Sequence, residues 1–261
     1  MIETFTIESI PLERSVKIDF YIPPNMPDPS ACSLLLFNDG QDLVTMNFEK
    51  IINLLAESGK IKPLICVGIH CGDDRRNEYG IVKAPDYKGR GSKGPLYEHF
   101  LLQELFPFIY GHFAVNAFAE NAFAGFSLGG LNAMDTVWNH PEIFRKVGVL
   151  SGSFWWRSKD QNAADYNANN DRLMHRHVRE SGYHPGMKFF FQCGELDESE
   201  DRNKNGVIDS IDDTLDLMRI LIFKGYKEGA DIKYLQLADG RHDVATWARA
   251  LPVFLKWGWG L

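Results

Sequence analysis

Short apolar runs alternate with amphipathic segments along most of this chain, and that alternation limits the possible folds more than any other feature. CSLLLF precedes NFEKIINLLAES, PLICVGIH precedes PLYEHFLLQELFPFIY, and NAFAGF precedes LGGLNAMDTVWNH. KVGVLSG, KFFFQC, DTLDLMRILIFKGY, DIKYLQL and VATWARALPVFLKWGWG continue the pattern. Apolar runs this short suit strands buried on both faces, and the amphipathic segments supply the helical crossovers that parallel strands require. Ahead of them, IETFTIES and SVKIDFYIPP alternate with a period of two, and Pro23 and Pro24 end the second run by removing backbone donors. The expectation is an α/β fold with a mostly parallel central sheet, an antiparallel N-terminal hairpin and helices on both faces. Across 261 residues no repeat or Pro/Gly/Ser-rich linker divides the chain, so residues 1–261 read as a single domain. The polar, Asn-rich stretch 153–185 reads as an excursion over the carboxyl edge of the sheet, the edge where open α/β sheets carry their sites.

The balance of residues removes several function classes. A chain that is 44% hydrophobic and 24% charged is too apolar to stay disordered. Its formal net charge of -7 offers no field for a phosphate backbone, which argues against nucleic acid as a partner. MIETFTIESIPLERS has no basic segment followed by an apolar run, and no later stretch resembles a membrane span, so the expectation is a soluble, cytoplasmic chain with no membrane partner. Cys32, Cys66, Cys71 and Cys193 sit in or beside apolar runs without a C-x-x-C pair, which predicts buried, reduced thiols and no structural zinc.

AFAGFSLGGLNAM places Gly125, Ser127 and Gly129 as G-x-S-x-G between a strand-like and a helix-like run. A turn that tight forces strained backbone angles on the nucleophile, and the glycines remove side chains that would collide with the adjoining strand and helix. Ser127 then projects above the sheet at the amino end of a helix, where the N–H of Leu128 can donate to an oxyanion. A serine needs a base and an acid, in the chain order Ser, acid, His. Among eight histidines, His242 follows the last apolar strand and precedes the terminal helix, at the elbow's edge of the sheet. His70 ends a strand but precedes the serine; His99, His112, His140, His175, His177 and His184 are expected at the surface. For the acid, KFFFQC runs into GELDESED, where Glu195, Asp197 and Glu198 are all in reach, and Asp197 is the choice.

These residues resemble the esterase D and enterochelin esterase-like family of α/β-hydrolases, which includes feruloyl esterase domains and S-formylglutathione hydrolase. The resemblance rests on FYIPP, LLLFNDGQDL, VGIHCGDDRRNEY, AGFSLGGLNAM, VGVLSGSFWW, FFFQCGELDE and GRHDVATWARALPVFLKW. It implies Ser127 as nucleophile, His242 as base and Asp197 as acid. It also implies a second oxyanion donor in the NDGQD turn, for which the backbone N–H of Gln41 is the candidate. Trp155 and Trp156 of SGSFWW would lie beside the serine and wall an acyl or aryl pocket.

A second constellation follows the acid. In DRNKNGVIDSID, Asp201, Asn203 and Asn205 hold positions 1, 3 and 5 of a twelve-residue loop, Gly206 position 6, Val207 a carbonyl at 7, Asp209 position 9 and Asp212 position 12. That is the spacing of a calcium loop, with Asp in place of Glu at 12 and no helix in front. The expectation is a solitary, structural Ca2+ that fixes the loop carrying Asp197, with no organic cofactor. The reading of the whole chain is a serine hydrolase acting on a small-molecule carboxylic ester through an acyl-enzyme. Its rivals are an acyltransferase using the same three residues and a non-catalytic, calcium-stabilised binding module.

Overall fold

The computed structural model describes residues 1–24, 26 and 28–261. Eight strands form one sheet: β1 (Ile2–Ser9), β2 (Arg14–Tyr21), β3 (Ser33–Asn38), β4 (Leu64–Ile69), β5 (Glu120–Phe126), β6 (Lys146–Leu150), β7 (Lys188–Leu196) and β8 (Ile232–Arg241). Their spatial order is β1-β2-β4-β3-β5-β6-β7-β8. β1 pairs antiparallel with β2, and β2 with β4; every later pair is parallel. This is the mostly parallel sheet with an antiparallel leading hairpin that the alternation predicts.

The apolar runs become central strands because their side chains bury on both faces. On β3, Leu34 and Leu36 join the core on one side, and Leu35 and Phe37 the core on the other. β7 repeats the division, with Phe189 and Phe191 opposite Phe190. Helices α1 (Phe48–Glu57) and α9 (Val244–Trp259) cover one face. The other face carries α3 (Gly94–His99) and α4 (Phe106–Phe113), α5 (Leu128–Asn139), α7 (Leu173–Glu180) and α8 (Asp209–Lys224). Two four-residue helices, α2 (Arg75–Glu78) and α6 (Ala168–Asp171), lie in connecting segments. No helix among the described residues is long and apolar enough to cross a membrane.

Three local expectations change. β7 and β8 run past their apolar stretches and stay paired as far as Leu196 and Arg241, because backbone hydrogen bonds on the last strand of a sheet do not need apolar side chains. Their extended ends deliver Asp197 and His242 immediately after the sheet. The stretch 153–185 is less of an excursion than its composition suggests, since α7 buries Leu173, Met174 and Val178. His175, expected at the surface, is fully buried, its Nε2 bonded to the Asp213 carbonyl at 2.7 Å, and burial pushes its pKa down to about 3. Cys32, Cys66 and Cys193 are buried and unpaired; Cys71 is half-buried.

Candidate active site

The elbow forms where β5 turns into α5. Ser127 sits at φ 54 and ψ -124, a left-handed backbone region that costs a non-glycine residue about 1–3 kcal/mol. The neighbouring glycines make the turn possible. A Cβ on Gly125 would meet the Gly129 backbone at 2.5 Å, and one on Gly129 would meet Asp39 Oδ2 at 2.6 Å. Leu128 opens α5, so its N–H has no acceptor within the helix and remains available beside the serine.

His242 follows β8 directly, and its Nε2 lies 3.0 Å from Ser127 Oγ. Residues 115 positions apart thus come within hydrogen-bond distance. Ser153 adds a second hydroxyl 3.4 Å from Ser127 Oγ, and its N–H donates to the Ser127 carbonyl at 3.1 Å. Although His242 is exposed, partial desolvation by the surrounding groups pulls its pKa below the ordinary 6.5, against the opposing charge of Asp197.

Asp197 begins the segment after β7. Burial raises its pKa; the Gly194 N–H, at 3.1 Å from Oδ2, the Ser151 hydroxyl and the charge of His242 work in the other direction. Among the described residues no hydrogen bond joins Asp197 to the imidazole, although the two groups interact through space. The two alternative acids are engaged elsewhere. Glu195 is exposed and accepts from Gln236 at 2.8 Å, and Glu198 accepts the Ser210 N–H.

An open cleft of about 470 Å³ surrounds these groups. Ser127, Leu128, Ser153, Asp197 and His242 line it together with Arg75, Arg76, Arg90, Trp155 and Glu198. Of the two tryptophans, Trp155 lines the cleft, whereas Trp156 is fully buried with its indole N–H on the Ala84 carbonyl at 3.2 Å. Trp156 therefore supports the wall from behind, because its apolar bulk packs against Gly80 and Gly91. Gln41 lies in the turn after β3 and does not line the cleft; its side chain braces the turn after β4, bonding Cys71 Sγ and the Cys71 N–H, each at 3.2 Å.

Sequence reasoning missed the polar brace behind the oxyanion side. Asp39 holds a left-handed backbone (φ 59) and takes a bidentate bond from Arg75 at 2.5 and 2.7 Å. Asn38 donates to the Gly129 carbonyl at 2.9 Å and accepts from Tyr97 at 2.6 Å. The NDG turn and the RRNEY segment were both visible, but nothing in their spacing paired them.

The twelve-residue loop leads into α8, which begins at Asp209 within the loop itself. Asp201 accepts the N–H groups of Asn205 and Gly206 at 3.1 and 2.9 Å. The amides of Asn203 and Asn205 both donate to Asp212 Oδ2, at 2.7 and 2.8 Å. Asp209 accepts the Arg202 N–H at 2.9 Å. Among the described residues no three His, Cys, Asp or Glu side chains converge as metal ligands.

A family model described as "Putative esterase" matches residues 9–257. An uncharacterised protein of Bacillus subtilis (strain 168), YbbA, is 26% identical over 155 residues, 57% of this chain and 60% of the relative. The enterobactin esterase of Shigella flexneri, solved in the presence of enterobactin, superposes with a TM-score of 0.73 at 18% identity, covering 98% of this chain and 58% of that one. An IroE-like serine hydrolase from Shewanella oneidensis gives 0.72 at 18% identity, covering 98% and 80%. This chain thus spans about 60% of the length of the first two proteins.

Proposed function

We propose that this chain, which belongs to the esterase family, is a serine hydrolase that cleaves a carboxylic ester through an acyl-enzyme, on the pattern of the enterochelin esterases. The observation that carries the reading is the 3.0 Å approach of His242 Nε2 to Ser127 Oγ at a strained strand-to-helix turn. His242 takes the proton as Ser127 Oγ attacks the acyl carbon. The N–H of Leu128, at the start of α5, holds the oxyanion of the tetrahedral intermediate. The bond to the alcohol then breaks as His242 returns the proton to the leaving oxygen. Water, deprotonated by the same imidazole, attacks the acyl-enzyme and releases the acid and free Ser127. Asp197 orients the ring and stabilises its charged form; the missing hydrogen bond is one that closes when substrate fills the cleft, as catalytic contacts commonly tighten on binding.

The family match and the fold support this reading, and Trp155 offers an apolar wall for an acyl or aryl group. Replacing Ser127 with Ala is expected to abolish ester turnover and fluorophosphonate labelling while leaving the melting temperature within a few degrees. Undiminished labelling of Ser127→Ala would refute the assignment of the nucleophile.

We further propose that the 201–212 loop takes a single Ca2+ as a structural ion. Asp201, Asn203, Asn205, the Val207 carbonyl, Asp209 and Asp212 would supply oxygens once the two amides turn their Oδ1 atoms inward. Such an ion would replace the amide bonds on Asp212 and fix the segment that follows Asp197. Calorimetric titration with calcium should show one site, absent in Asp212→Ala, with a chelator lowering the wild-type melting temperature. No heat of binding, together with indifference to chelation, would remove calcium from this account.

A further inference from the structure

Three arginines line the cleft beside the serine, and two of them are already paired with carboxylates of the protein itself. We propose that the third, Arg76, is a specificity-determining residue that takes an anionic group of the substrate, a carboxylate or its equivalent, so that the preferred ester carries a negative charge. The proposal rests on the serine-hydrolase reading and names the substrate class of that same site.

Hydrogen bonding separates the three side chains. Arg75 Nε and Nη2 donate to the two oxygens of Asp39 at 2.5 and 2.7 Å, and its guanidinium lies over the Tyr79 ring at 5.0 Å. Arg90 Nε donates to Asp86 Oδ2 at 2.7 Å, its Nη2 reaches the same oxygen, and its guanidinium lies over the Trp155 ring at 4.8 Å. Asp39 and Asp86 are both buried, so each of these arginines serves to neutralise a carboxylate that the fold has taken out of water. Arg76 is exposed, and among the described residues its guanidinium has neither an ion pair nor a hydrogen bond. The carboxylates that share the cleft are held by backbone instead: Asp197 accepts the Gly194 N–H at 3.1 Å, and Glu198 accepts the Ser210 N–H.

A guanidinium presents its N–H groups as a planar fork that matches the paired oxygens of a carboxylate or phosphate. On open surface such a group is simply solvated. Arg76 lies in the same cleft as the nucleophile, and its backbone is pinned there. Its carbonyl accepts the Gly91 N–H at 3.0 Å, and the Asn77 carbonyl accepts the Lys93 N–H at 2.9 Å, which ties α2 to the segment that carries Arg90. Asp86 closes that second segment into a turn by accepting the N–H groups of Lys88 and Arg90 at 3.0 and 2.9 Å. A cation on a fixed backbone loses less freedom on taking a ligand than one on a mobile loop. Trp155, with Arg90 stacked on it, adds a flat face for the uncharged part of the substrate while Arg76 holds the charge.

The rival account is that Arg76 is only a solvated surface charge, and substrate charge separates the two. The experiment compares kcat/KM within two matched pairs of esters. In 4-acetoxybenzoate against 4-acetoxybenzamide the charge is on the leaving side; in the mono-p-nitrophenyl ester of suberic acid against its methyl ester it is on the acyl side. Each pair is measured with wild type, Arg76→Gln, Arg76→Lys and Arg76→Glu. The readout is the ratio of anionic to neutral kcat/KM, in which intrinsic reactivity and any general loss of activity cancel between variants.

Wild type is expected to exceed Arg76→Gln in this ratio by about tenfold in at least one pair, with Arg76→Lys between them and Arg76→Glu lowest. The wild-type excess should shrink as salt is raised to about 0.5 M, because an ion pair at an open cleft is screened. Whichever pair responds identifies the side of the ester that carries the charge. Ratios that stay the same in wild type and all three variants, in both pairs, would overturn the proposal. If wild type hydrolyses neither neutral ester and takes no fluorophosphonate label at Ser127, the serine-hydrolase reading has failed and this proposal falls with it.

Discussion

Ser127 and Asp197 stand at the carboxyl ends of β5 and β7, two places apart in the sheet, and are held in opposite ways. Around the nucleophile the fold works by subtraction. Gly125 and Gly129 leave no room for a Cβ, Gly40 lies so close to Gly68 that a Cβ would meet its backbone at 2.4 Å, and the serine stays strained because its surroundings admit nothing else. Around the acid the fold works by polar addition. The Gly194 N–H bonds the Asp197 carboxylate, and the chain then runs into a loop crowded with carboxylates and amides that bond one another. Steric exclusion gives one stiff geometry that a single methyl can ruin, whereas a hydrogen-bonded loop gives an adjustable geometry that tolerates change until its key donor is lost.

The sharpest test of the polar side is Asp197→Asn, expected to reduce kcat by about a thousandfold or more with little change in stability. Equivalent changes at Glu195 and Glu198 should each stay within about threefold of wild type, and a larger loss at Glu198 would move the acid's role to that residue. Gly129→Ala breaks the steric side. The added methyl should cost about 3 kcal/mol of stability and about a hundredfold in kcat/KM, readable by denaturant unfolding and steady-state kinetics; a variant of wild-type stability would show that the turn relaxes. The smallest effect concerns pH. Catalysis needs His242 neutral, and partial desolvation holds its pKa below 6.5, so activity should persist below pH 6.5 and fall only as the pH drops through the lowered value. A limb above 6.5 would mean that Asp197 has closed onto the ring and outweighs burial.

The steric half of this site was far more legible in the sequence than the polar half. G-x-S-x-G between an apolar run and an amphipathic one specifies strand, turn and helix together, because each local preference agrees with the next. Ser127 and His242 could therefore be named before any coordinates, and they meet at 3.0 Å. Polar partnerships carry no such periodicity. Nothing in the sequence told Arg75 to clamp Asp39, Trp247 to reach Ser151, or Arg172 to bind Asp213 beneath the 201–212 loop at 2.7 Å. His175 misled for the same reason: polar neighbours in sequence suggested solvent, while helical phase turned the ring into the core. The extents of β7 and β8 were short in the reading because apolar content marks burial, not backbone pairing.

Gly194 and Gly240 lie on neighbouring strands so close that a Cβ on Gly194 would meet the Gly240 backbone at 2.4 Å. This bare contact acts as a rivet between β7 and β8 just before the segments carrying Asp197 and His242 diverge. An insertion in the 199–208 stretch is therefore expected to leave the 3.0 Å approach of His242 to Ser127 unchanged.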